Sequence, residues 1–107
     1  MIKVIIKQKN NNIIDFEISG HAGSAELGND LICAAVSTIS TGVLNTLDYK
    51  GFIKDDICRY EIRDGYVKIE VVNSNNDIQV ILETLEITLK TIEESSINYI
   101  KISKVEV

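Results

Sequence analysis

The sequence predicts an α+β fold, a single domain over residues 1–107 in which two helices cover a largely antiparallel sheet in the order ββαββαβ. Three observations lead there. Two pairs of short alternating runs are each joined by a few turn-forming residues, which marks hairpins rather than crossovers. Each pair is followed by a stretch whose apolar residues recur at spacings of three and four. The length of 107 residues is enough for one compact core.

Residues 2–8 and 13–19 form the first hairpin, because Ile14, Phe16 and Ile18 alternate with Asp15, Glu17 and Ser19, and Asn10-Asn11-Asn12 makes the turn. From about Leu31 to Tyr49 the period is helical, carried by Leu31, Ala34, Ala35, Thr38, Ile39, Gly42 and Val43. Asn29 or Asp30 caps its start. Its small residues permit close approach of another backbone, so this helix is expected deep inside the domain. Residues 57–63 and 66–72 form the second hairpin, with Asp64-Gly65 suited to a two-residue type I′ turn. A second helix from about Asn75 to Glu94 aligns Ile78, Leu82, Leu85, Leu89 and Ile92, and Ser74 with Asp77 resembles a capping box. Residues 98–106 close the fold as a strand.

Eleven Lys and Arg against sixteen Asp and Glu leave a net charge of −5, a surface that repels duplex nucleic acid and suits a basic polypeptide better. Direct nucleic-acid binding is not expected. No run of the length a membrane helix needs stands out, and the first residues lack a signal-peptide core, so the chain is expected in the cytoplasm and off the membrane. Cys33 and Cys58 have neither the spacing nor the density of a disulfide scaffold and should be reduced. With one histidine and no Cys-x-x-Cys pair, neither a metal nor another cofactor is expected.

The segment that carries chemistry is Gly20-His21-Ala22-Gly23-Ser24-Ala25-Glu26-Leu27-Gly28-Asn29-Asp30-Leu31-Ile32-Cys33-Ala34-Ala35-Val36-Ser37. It runs from a strand end across a loop into a helix. If Asp30 is the cap, Cys33 stands third in the helix, where unpaired backbone N–H groups and the positive end of the dipole favour a thiolate and offer oxyanion donors. A dipole contribution of about 0.3–1 kcal/mol lowers a thiol pKa by less than one unit, so a second group is needed. His21, the one histidine, is the available base. Asp30 orients the imidazole, caps the helix or touches substrate; its charge beside a thiolate opposes ionisation, which favours the last two. Ser37 lies one turn after Cys33 on the same face.

Plainer readings stand beside these. A cysteine among Ile, Ala and Val is commonly a small core residue, and a strand-end histidine is commonly solvated or capping. Cys58, on the apolar face of a strand, reads as core. Gly23 and Gly28 allow loop dihedrals closed to other residues.

The segment resembles the signature of the ribosomal-processing cysteine protease (Prp) family: Gly-His-Ala, a loop, Gly-x-Asp, two aliphatics, then Cys-Ala-x-x-Ser. The matches are Gly20, His21, Ala22, Gly28, Asp30, Leu31, Ile32, Cys33, Ala34 and Ser37. Leu31 departs mildly from the β-branched residue expected there. Length, element order and the late Leu89-Lys90-Thr91-Ile92-Glu93-Glu94 stretch are also similar.

The resemblance implies removal of an N-terminal extension from the twenty-seventh large-subunit ribosomal protein, after an aromatic pair in a sequence like Asn-Leu-Gln-Phe-Phe-Ala. It makes Cys33 the nucleophile and His21 the base, with Asp30 and Ser37 supporting. It further implies a homodimer and a site-covering loop that moves, with Gly23 and Gly28 as hinges. The alternative is a noncatalytic ribosome-assembly or RNA-binding module, against which the acidic balance and sparse aromatics weigh. Thiol redox chemistry lacks a resolving partner, since Cys58 is expected in the core.

Overall fold

The computed structural model describes residues 1–20 and 27–107, and for 27–30 the backbone alone. The elements are β1 (Ile2–Lys9), β2 (Asn12–Ser19), α1 (Leu27–Tyr49), β3 (Cys58–Arg63), β4 (Tyr66–Val71), α2 (Asn76–Ser95) and β5 (Ile100–Glu106), in the expected order. They form one five-stranded sheet, β3-β4-β2-β1-β5. All neighbours are antiparallel except β1 and β5, which run parallel, so the sheet is mixed. α2 carries the chain from β4 to the opposite edge, and such a crossover delivers a strand parallel to its new neighbour.

Alternation decides which face is covered. Ile2, Val4 and Ile6 of β1, Phe16 and Ile18 of β2 and Ile69 of β4 are buried on one side. Val36, Leu44 and Leu47 of α1 and Ile78, Leu82, Leu85 and Leu89 of α2 join them in one core. A fully buried leucine contributes about 1.5–3 kcal/mol. Between strands and helix, Gln79 of α2 accepts from the Ile13 N–H at 2.7 Å and donates to the Ile13 carbonyl at 2.8 Å. Its amide satisfies the β2 backbone beside the register shift at Lys7/Gln8.

Several expectations change. α1 begins at Leu27, four residues before the expected start, so Asn29 and Asp30 are helical residues and not its cap. The helical spacing extends back from Leu31 to Leu27, and Gly28 costs a helix only about 1 kcal/mol, too little to stop it. α1 also lies at the surface rather than deep in the domain, since Leu31, Ala34, Thr38, Thr41 and Asn45 along one side are exposed. Leu31–Tyr49 is long and apolar enough, by length and composition, to cross a membrane, contrary to the sequence reading. Here its apolar stripe is packed on the sheet and α2.

The turns differ in detail as well. Asn10 and Asn11 both take positive φ, 50° and 67°, and Asn12 already belongs to β2, so the first turn has two residues. In the second hairpin Gly65 has φ 67° whereas Asp64 is not among the positive-φ residues, which excludes the expected type I′ turn. The Gly65 carbonyl there accepts the Gly20 N–H at 3.0 Å, a tertiary bond that fixes the tip. Asn75, not Ser74, caps α2: its side chain accepts from the Ile78 N–H at 2.8 Å, while the Ser74 hydroxyl accepts from Gln79.

One charge is buried away from the site. Glu86, 4% exposed, accepts from Lys90 at 2.8 Å and from Lys104 at 3.1 Å, which ties α2 to β5. Burial pushes its pKa up, but the hydrogen bonds and charges of the two lysines pull harder and leave it below the ordinary value. A carboxylate with a depressed folded pKa contributes stability in full above its unfolded pKa of about 4.3 and loses it as pH falls through the folded value. Glu86→Gln should therefore destabilise the fold by about 1–3 kcal/mol at neutral pH. In denaturant titrations the gap to the unmodified protein should close as pH falls below about 4.

Candidate active site

The strand register builds one wall of a cleft. β2 pairs with β4 so that Ser19 faces Tyr66, which sets Gly20, just past β2, beside the Asp64-Gly65 tip. Gly20 is held there by its bond to Gly65 and by its own geometry. Its φ is +108°, and a Cβ at this position would lie 2.4 Å from the Met1 carbonyl oxygen. Only glycine fits both constraints.

The other wall is the inner side of α1. Cys33, Ser37 and Ser40, spaced by four and three, line the same cleft, of about 320 Å³, as Gly20 and the hairpin residues from Ile62 to Val67. Cys33 is half-buried. It stands on a helix with the cleft beside it, and Ser37 lines the same cleft.

The helix contributes less to the sulfur than its expected register implied. Cys33 is the seventh residue of α1, not the third. The unpaired N–H groups belong to the first four residues and the dipole effect fades within the first turn, so neither dipole activation nor oxyanion donation by the Cys33 N–H follows.

Asp30 lies in the first turn of α1, and Gly28, expected in the loop, is the second residue of that helix. His21 and Gly23 lie outside the described residues. Cys58 is fully buried, and burial first, then the nearby Asp56 charge, push its thiol pKa up, as suits an inert core residue.

The sequence reading missed Ser40 and the whole hairpin tip. Ser40 could have been found by extending the Cys33–Ser37 spacing one more turn. The tip could not, because it depends on the pairing of β2 with β4.

Around the cleft runs a chain of polar contacts. The Arg63 guanidinium sits 4.1 Å from the centre of the Tyr66 ring and donates to Glu61 at 2.6 Å. The Tyr66 hydroxyl donates to Glu17 at 3.1 Å. Arg63 and Tyr66 line the cleft, and the exposed pair of Arg63 with Glu61 adds little to stability.

A half-buried thiol lining a cleft of this size on a small α+β frame fits a thiol enzyme. Known proteins make the class specific. Residues 1–101 match the family described as cysteine protease Prp. A ribosomal processing cysteine protease Prp of Staphylococcus aureus is 36% identical over 83 residues, which is 77% of each chain. A solved structure of an essential ribosomal processing protease Prp from S. aureus, in complex with a substrate peptide, has a TM-score of 0.79 at 31% identity and spans 98% of this chain and 100% of that one. Another, with a covalently linked product peptide, has a TM-score of 0.77 at 32% identity over the same shares of the two chains. The chain belongs to the Prp family of cysteine proteases.

Proposed function

We propose that the chain removes the N-terminal extension of a large-subunit ribosomal protein, the twenty-seventh, during ribosome assembly, with Cys33 as nucleophile and His21 as base. The observation that carries this reading is that Gly20, the residue immediately before His21, lines the same cleft as Cys33. The S. aureus relatives, with their substrate and product peptides, support the substrate class.

In this mechanism His21 takes the Cys33 proton as Sγ bonds to the scissile carbonyl carbon. The imidazolium returns the proton to the departing amine as the C–N bond breaks, leaving a thioester on Cys33. Water, deprotonated by His21, then attacks the thioester and releases the new carboxylate and the thiol. Asp30 and Ser37 support the site, Ser37 from the cleft wall. Gly23 and Gly28 are proposed to let the segment around them move as substrate enters, Gly28 through the weak helicity of glycine in the first turn of α1. The enzyme acts in the cytoplasm, as a homodimer, without direct contact with nucleic acid.

The test is incubation with a peptide of the ribosomal-protein N-terminus containing Phe-Phe-Ala. Mass spectrometry should find a single cut after the aromatic pair. An intact peptide, together with tight and strongly salt-dependent RNA binding, would favour the noncatalytic assembly module instead.

A further inference from the structure

One polar group in the cleft has no part in the chemistry above. Ser40 lines the cleft and is 2% exposed, and its Oγ is the buried side-chain polar atom left without a hydrogen-bond partner among the described residues. Other hydroxyls on α1 bond back to their own helix: Thr38 donates to the Ala34 carbonyl at 2.8 Å and Thr46 to the Gly42 carbonyl at 2.9 Å. The same bond is open to a helical serine, yet Ser40 does not make it. An unsatisfied buried hydroxyl destabilises a fold. Its place in a substrate cleft points to a partner that arrives with the substrate.

We propose that Ser40 is a specificity-determining residue whose hydroxyl hydrogen-bonds an uncharged polar side chain of the peptide, about three residues from the bond cut. This rests on the reading of the cleft as a peptide protease site. The distance follows when the peptide is laid along α1. Ser40 stands seven positions after Cys33 in the helix, which is about 10 Å along the axis at 1.5 Å per residue. An extended peptide covers that in about three residues.

The chemistry follows from the surroundings. Ile2, Ile18, Val36 and Val67 line the same cleft, and its charged residues, Arg63 and Asp64, belong to the hairpin wall, Arg63 already paired with Glu61, so a charged side chain against the helix wall at Ser40 would lose water without a counter-charge on that wall. A hydroxyl both donates and accepts, which suits a side-chain amide or another hydroxyl. This bond requires a χ1 rotation of Ser40 to another staggered well, which takes Oγ out of its sealed position to meet that group.

The experiment measures kcat and KM of the wild-type protein and Ser40→Ala on a panel of peptides. At each of the three positions on either side of the cut, Gln, Asn or Thr is exchanged for a near-isosteric Met, Leu or Val. Alanine is the stronger helix former, so the variant folds, and its Tm should equal or exceed that of the wild type. The expected result is coupling at one position. There, Ser40→Ala lowers kcat/KM roughly tenfold, chiefly through KM, for the polar peptide and leaves the apolar one unchanged. An equal loss on every peptide, or no loss on any while the wild type cleaves them, overturns the proposal. A wild type that cleaves none of the panel overturns the protease–peptide reading and this inference with it, an outcome distinct from the other two.

Discussion

Replacing Cys33 by alanine is expected to reduce cleavage of the ribosomal-protein peptide by about 10⁴-fold or more, because the proposed mechanism forms its thioester on Cys33 and the other cysteine, Cys58, is buried in the core. Cys33 is half-buried at the edge of the core, so its loss should change stability by about 1 kcal/mol or less. The control is Cys58→Ala. Cys58 is fully buried, and removing its sulfur should cost about 1 kcal/mol while leaving kcat/KM unchanged. Parallel measurements of kcat/KM and of chemical denaturation separate the two effects. Activity lost equally in both variants would mean that cleavage tracks folding rather than the Cys33 thiol.

A second large effect is expected at Gly20, a residue that performs no chemistry. Gly20→Ala would place a side chain at φ +108° and drive its Cβ to 2.4 Å from the Met1 carbonyl. Strain of this kind costs about 1–3 kcal/mol, and the clash with backbone, which cannot swing aside as a side chain does, adds to it. The strand end must shift to relieve the contact, and the Gly20–Gly65 hydrogen bond goes with it. Denaturation should therefore show a loss of about 3 kcal/mol, and kcat should fall even in the fraction that stays folded. Full kcat in Gly20→Ala would mean that the strand end does not position the catalytic machinery.

Much of this was legible in the sequence. All seven elements are present in the expected order because each is written in local signals: alternation for the strands, three-and-four spacing for the helices, asparagines and Asp64-Gly65 for the turns. Cys58 and Ser37 lie where their spacing put them. What failed was set by contacts distant in the chain. Nothing near Asp64 announces that the Gly65 carbonyl will meet Gly20. The parallel pairing of β1 with β5 depends on where α2 carries the chain.

The start of α1 was misplaced for a different reason. Asn29 and Asp30 are good caps, but a residue able to cap can also sit within a helix when the apolar spacing continues past it. That four-residue difference matters for the proposed mechanism, because it removes the helix end as a source of thiol activation and leaves that role, in the mechanism proposed above, to His21. The proposed mechanism therefore rests on the imidazole taking the proton.

The measurement that bears on this most directly is the rate and site of labelling by a substrate-like peptide carrying a chloromethyl ketone in place of the scissile bond. Peptide mapping should find the label on Cys33, and His21→Ala should slow its attachment by about 10²-fold or more at neutral pH. A label on Cys58, or equal rates in the two proteins, would contradict the account.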